Sequence, residues 1–192
     1  MKWYKFDIGE FSEEEYEKWY SLMSQDKKSR VDRFLNADDK KRTVAGEMLA
    51  RKAVSEWCDV LCDTIAFKTD EHGKPYAENL NVQFNISHSG NIVVCAVSNN
   101  PVGIDVEEIR PIDLKIAKRI CSDDELKYIF DEKEPAFSVT TNKKTLTRFF
   151  EIWTAKEAVG KLTGRGLANI SKPLNKEVER HITENYVISI AV

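Results

Sequence analysis

The sequence predicts an α+β fold built from two similar halves, residues 1–100 and 101–192, and three observations carry that expectation. The segment ARKAVSEW at 50–57 is echoed by AKEAVGKL at 155–162, and NIVVCAV at 91–97 by NYVISIAV at 185–192, as a duplicated helix-plus-sheet unit would leave behind. Stretches of helical period and stretches of strand character both recur along the chain. The length of 192 residues and a hydrophobic fraction of 42% supply enough apolar surface for a core without covalent staples.

Lys2 to Ile8 alternates as a strand, and Ser12 with Glu15 forms a capping box that opens a short helix reaching about Met23. From about Asp38 to Cys58, Val44, Met48, Leu49, Val54 and Trp57 recur at helical spacing, which predicts a long helix facing a core. Thr64–Lys68 and Val82–Ile86 read as strands, and Gly73-Lys74-Pro75-Tyr76 between them is turn chemistry. A strong strand follows at Ile92–Val97, and another ends within PVGIDVEEIR at 101–110. Pro111 and Asp113 are expected to start a helix running to about Cys121, and Ser122 with Glu125 caps the next. Asp131 to Lys144 has no clear period and is expected to be a loop. Phe149 to Lys161 has helical spacing, Gly164 and Gly166 suit a left-handed helix end, and Tyr186 to Val192 reads as a buried strand.

Charge and motif content remove several function classes. With 29 basic against 32 acidic residues and a net charge of −3, the chain lacks the basic excess of a general nucleic-acid binder. MKWYKFDIGEF carries no long apolar run, so neither a signal peptide nor a membrane partner is expected, and the expected location is cytoplasmic. Cys58, Cys62, Cys95 and Cys121 then stay reduced, with no second pair to complete a zinc site. Ser87, His88 and Ser89 invite a hydrolase reading that fails, since adjacent residues diverge and no G-x-S-x-G accompanies them. LTGRGL is no phosphate loop, because Leu162 stands where Ser or Thr must follow the lysine.

Two stretches carry candidate chemistry. In an extended chain Asp105 and Glu107 project to one side and can converge on a divalent cation, while Gly103 suits a close approach by a ligand or another backbone. A strand edge with solvated acids explains those residues equally well. On the downstream helix Trp153, Glu157 and Lys161 lie four apart and share a stripe, so Glu157 can join the two acids while Lys161 reaches a phosphate. Between Lys27 and Arg42, seven basic residues stand against three acids, which by itself fits a solvated helix face.

V-G-I-D at 102–105 followed by W-T-A-K-E-A-V-G-K at 153–161 closely resembles the two-part signature of phosphopantetheinyl transferases of the surfactin-synthetase (Sfp) type, with further matches from about Ser24 onward. The resemblance implies two α+β halves related by a pseudo-twofold axis. It implies transfer of 4'-phosphopantetheine from coenzyme A to a serine of an apo acyl, polyketide or peptidyl carrier protein, with release of adenosine 3',5'-bisphosphate and Mg2+ as cofactor. By the same resemblance Asp105, Glu107 and Glu157 hold the metal, and Lys27, Arg30, Arg42, Thr43 and Lys74 bind coenzyme A. His88 contacts a phosphate, Ser87 shapes its pocket, Lys161 contacts a phosphate and Lys156 helps orient the site. Glu157 or Glu125 accepts the serine proton, although helix capping explains Glu125 and a loop position explains Lys74. Asp131 to Lys144 corresponds to a variable region near the carrier, and a monomer is expected. Two other classes use the same residues differently: a coenzyme A-binding module without turnover, and an interaction protein in which both motifs are accidental.

Overall fold

The structure is a computed structural model that describes residues 1–71, 73–131, 136–164, 166, 173–174 and 176–192. It divides into two compact units, Met1–Val102 and Gly103–Val192.

The first unit is a three-stranded antiparallel sheet carrying a long helix. Strands β1 (Lys2–Asp7), β4 (Gln83–Ser89) and β5 (Ile92–Ser98) run in the order β1-β5-β4, with Lys2 opposite Val97 and Phe84 opposite Val97 from the other side. Helices α1 (Glu13–Ser21), α2 (Gln25–Asp32) and α3 (Ala37–Cys58) are each opened by a side chain that accepts a backbone N–H: Ser12 from Glu15, Ser24 from Lys27, and Asn36 from Asp38. The apolar stripe of α3, including Val44, Met48, Leu49 and Val54, is buried with Phe84, Val93, Cys95 and Val97 in one cluster. A two-stranded ladder, β2 (Phe67–Thr69) with β3 (Pro75–Ala77), completes the unit.

Helix α2 forms within the basic run, in line with its reading as a helix face; Ser24 caps it and Val31 is fully buried. Two local expectations change. The turn lies before Pro75, because Asp70 accepts the Lys74 and Gly73 N–H groups and Gly73 takes a φ of +84°; Pro75 and Tyr76 are strand residues. Strand β4 continues through His88 to Ser89, so His88 is in the sheet and not in a connection.

The second unit repeats the plan. Strands β6 (Gly103–Glu108), β9 (Val178–Ile182) and β10 (Tyr186–Ala191) are ordered β6-β10-β9, all antiparallel, with Asp105 opposite Ser189. The 21-residue helix α6 (Lys143–Thr163) accompanies the sheet and ends at Gly164 with a φ of +68°. Its Leu146, Phe149, Phe150 and Ile152 are buried with Leu114, Ile129, Phe130 and Val187. The echoed segments thus hold equivalent places: NIVVCAV supplies all of β5 but Ser98 and NYVISIAV contains β10, each the middle strand of three, and ARKAVSEW and AKEAVGKL lie in the long helices.

Between β6 and α6, Ile112–Asp113 is a strand, β7, paired with β8 (Val139–Thr140) and not the start of a helix. Asp113 accepts the Lys115 N–H while its own backbone stays extended, so helical geometry begins only at a 3-10 turn, Leu114–Ile116, followed by α4 (Ala117–Ile120). Helix α5 (Asp123–Phe130) opens with both arms of the Ser122–Glu125 capping box in place. Helix α6 starts at Lys143, earlier than its period suggests, because Asn142 caps Thr145. Part of the expected loop, residues 132–135, lies outside the described residues, as do Arg165 and Leu167 of LTGRGL. No helix among the described residues is long and apolar enough to cross a membrane.

Candidate active site

The acids of the second unit meet α6 because Gly103 has no side chain. A Cβ there would lie 2.0 Å from the Ala158 carbonyl oxygen and 2.6 Å from the Leu162 nitrogen, so helix backbone occupies the space and α6 rests directly on β6. The close approach read from Gly103 is therefore to another backbone. It brings one stripe of α6 against the strand. The Lys161 ammonium sits 2.6 Å from Asp105 Oδ1 and donates to the Ile104 carbonyl at 3.2 Å, and Trp153 Nε1 donates to Glu107 Oε1 at 3.3 Å. Asp105 is buried, and Glu157 is half-buried. Burial pushes the Glu157 carboxyl above its ordinary range; Asp105 adds to the shift, Lys161 opposes it and Glu107 adds a little more. Asp105, Glu107, Glu157 and Lys161 therefore share one electrostatic environment. Among the described residues no three His, Cys, Asp or Glu side chains stand as a ready-made metal cage.

Glu125 and Lys156 form a second constellation in this unit. Lys156 is buried at 6% exposure, and its ammonium lies 2.8 Å from Glu125 Oε2 and 2.8 Å from the Ile120 carbonyl. The same Glu125 oxygen accepts the Ser122 N–H at 2.7 Å. The cap bond and the Lys156 ion pair of Glu125 thus fall on one atom. Nearby, burial and then Glu125 push the Cys121 thiol up to about 12, so it stays protonated. The spacing of Glu125 and Lys156 in the sequence gives no sign of this pair, because it depends on how α5 lies against α6.

The first unit holds the remaining candidates. Arg42 donates from Nη1 to the Gly90 carbonyl at 2.8 Å and from Nη2 to Asp39 Oδ1 at 2.6 Å, which fixes its guanidinium beside the turn between β4 and β5. Thr43, next to it, donates to the Asp39 carbonyl. His88 is exposed two residues before that turn, and Ser87 is buried. His88 has the strand parity of Ile86, against which a Cβ on Gly46 of α3 would pack at 3.4 Å, so His88 and Arg42 share the α3 face of the sheet. Arg30 is exposed at the end of α2. Lys74 lines a cavity of about 340 Å³ with Tyr76, Val82 and Phe84. Lys27 is placed differently: its ammonium is 2.6 Å from the buried Glu47, which also binds Arg51, and it lies over the Phe67 ring. The signal for Glu47 in the sequence is its spacing of four from Arg51, which places the two on one helix face.

Residues 10–100 match the 4'-phosphopantetheinyl transferase N-terminal family, and residues 101–191 match the 4'-phosphopantetheinyl transferase superfamily. The chain is 36% identical over 159 residues to 4'-phosphopantetheinyl transferase Sfp of Bacillus subtilis, covering 82% of this chain and 67% of that one. It is 37% identical over 147 residues to the transferase gsp of Aneurinibacillus migulanus, covering 77% and 58%, and 40% identical over 148 residues to psf-1 of Bacillus pumilus, covering 77% and 60%. The chain thus spans between 58% and 67% of the length of these relatives. With both halves matched in order and identity above 30% over most of its length, the chain belongs to the 4'-phosphopantetheinyl transferase superfamily, in its Sfp-like branch.

Proposed function

We propose that this chain transfers 4'-phosphopantetheine from coenzyme A to a serine of an apo acyl, polyketide or peptidyl carrier protein, releasing adenosine 3',5'-bisphosphate, and that it works as a cytoplasmic monomer with Mg2+. The observation that carries the reading is the cluster on β6 and α6, where Lys161 lies 2.6 Å from Asp105 while Glu157 and Glu107 share their field. Its donor chemistry fits Mg2+, a hard cation that proteins bind through one or two carboxylates plus water and substrate phosphates, without a closed cage. A cation would also relieve the acidic repulsion that adds to the effect of burial on the Glu157 carboxyl. Asp105, Glu107 and Glu157 would hold it, and when bound it would neutralise charge on the pyrophosphate oxygens.

The chain's own residues supply the rest. Lys161, oriented by Asp105 and the Ile104 carbonyl, presents a cation to the phosphates. His88 and Arg42, gathered at one end of the first sheet, with Arg30, Thr43, Ser87 and Lys74, bind the remaining phosphate and adenosine parts of coenzyme A, and Lys27 adds a cation beside Glu47. The carrier serine is the nucleophile, so no enzyme-bound intermediate is needed, and Glu157 or Glu125, directly or through water, accepts its proton. Chromatography tests the reading. Adenosine 3',5'-bisphosphate should appear only when coenzyme A, Mg2+ and an apo carrier are all present, and chelation or a carrier whose serine is replaced by alanine should stop it. Release of the nucleotide without a carrier serine would contradict a transfer.

A further inference from the structure

We infer that Glu125 is a positioning residue for the transfer: paired with Lys156, it clamps the α4–α5 junction onto α6 and so sets the placement of Glu157 and Lys161, and it is not the group that takes the serine proton. The inference rests on the transfer reading above.

The Oε2 of Glu125 already accepts two hydrogen bonds, the Ser122 N–H at 2.7 Å and the Lys156 ammonium at 2.8 Å. Its Oε1 is buried from solvent and has no hydrogen-bond partner among the described residues. Although Glu125 lines a cavity of about 310 Å³ with Ser122, Tyr128 and Ile152, Oε1 is closed to an arriving hydroxyl and Oε2 is already committed to two donors. Lys156, in turn, is buried and needs a counter-charge, which Glu125 supplies. Because Lys156 also takes the last carbonyl of α4, Ile120, one side chain of α6 holds the end of α4 and the start of α5 together.

The place of that clamp on α6 gives it a functional consequence. Helix α6 is fixed on β6 by the backbone contact at Gly103, and on β10 by the Thr154 hydroxyl, 2.7 Å from Ser189 Oγ. Lys156 supplies the hold toward α4 and α5. Glu157 is the next residue, and Lys161 follows a little over one turn later. A helix released on the Lys156 side can rotate or shift, and both site residues move with it. Such displacement lowers turnover while leaving coenzyme A affinity, which draws largely on other residues, nearly unchanged.

The test compares Glu125→Gln, Glu125→Ala, Lys156→Met and the double variant Glu125→Ala/Lys156→Met in steady-state transfer to an apo carrier across pH, with thermal unfolding as a folding control. Gln keeps an oxygen for Ser122 and Lys156, so Glu125→Gln should stay within about tenfold of wild-type kcat and keep the acid limb of the pH profile, whereas loss of a general base costs about 10²–10⁴. Glu125→Ala and Lys156→Met should each lower kcat by about 10- to 100-fold, with KM for coenzyme A within about threefold, and the double variant should lose no more than the worse single one. A fall of about 10² or more in Glu125→Gln together with loss of the acid limb would overturn the inference, and so would single effects that multiply in the double variant. Should the alanine variant fail to fold, Glu125→Gln alone decides the point. Wild-type protein that transfers nothing would instead overturn the transfer reading itself, which separates the two failures.

Discussion

Asp105 and Glu157 influence one another electrostatically where β6 meets α6, yet the two carboxylates make opposite demands on the fold. Asp105 is buried and answered by Lys161, whereas Glu157 is disfavoured as an anion by burial and by its acidic neighbours. Glu157→Gln should therefore abolish transfer and leave the thermal midpoint at or above the wild-type value; Asp105→Ala should also abolish transfer but cost about 1.5–3 kcal/mol, because Lys161 loses a charge-assisted bond. Full transfer activity in either variant would refute the carboxylate site. On the first unit, Arg42→Ala should weaken coenzyme A by about 1.5–3 kcal/mol and leave dephospho-coenzyme A binding unchanged, measured by calorimetry. Equal losses for both ligands would show that Arg42 does not hold the 3'-phosphate. The spacing of these residues made part of the site legible: Asp105 and Glu107 sit two apart on a strand, and Trp153, Glu157 and Lys161 sit four apart on a helix. Partners across long separations were not legible. Lys27 meets Glu47 twenty residues on, and Lys156 meets Glu125 across two helices, so burial of their charges emerges only with the packing.

Helix starts were readable at Ser12 and Ser122, where a Glu three residues on completes the capping signature, missed at Ser24 and Asn142, which lack that Glu, and misread at Asp113, which caps after a short strand. Strand β9, VERHI, escaped notice because its buried partner β10 defines it more than its own polar sequence does. Contact between elements yields two predictions. Gly103→Ala places a Cβ against α6 backbone that cannot yield, so α6 must lift from β6; unfolding in urea should show a loss of about 3 kcal/mol or more, and a wild-type midpoint would contradict the packing. Asp131 ends α5 in the left-handed conformation, φ 60°, and Lys144, followed by Arg148, holds its carboxyl down at about 2. Its folded value is depressed, so its contribution is present above the unfolded value of about 4 and lost as pH falls toward 2. Asn tolerates the same backbone but carries no charge. The stability gap between wild type and Asp131→Asn should accordingly close between pH 4 and pH 2 in acid unfolding followed by circular dichroism, and a gap that persists at pH 2 would show that the ion pairs are not its source.

At the scale of the whole molecule, the repetition is physical as well as textual: each unit puts a long helix on a three-stranded antiparallel sheet, and the echoed segments supply the middle strand and part of the helix in both. That much was visible because a buried middle strand must be apolar along its length and a core-facing helix must keep its period, whatever the surface does. The units differ in charge chemistry. The first gathers Arg42 and His88 at one end of its sheet, and the second gathers three acids and Lys161 where β6 meets α6. Cations suit phosphate groups, and clustered acids suit a metal ion. The most direct measurement is the intact mass of an apo carrier protein, taken from a panel of acyl, polyketide and peptidyl carriers, after incubation with this chain, coenzyme A and Mg2+. At least one carrier should gain a single phosphopantetheine, and chelating the metal should prevent the gain. Coenzyme A that binds in the presence of Mg2+ while every carrier keeps its apo mass would contradict the transfer and leave a binding module in its place.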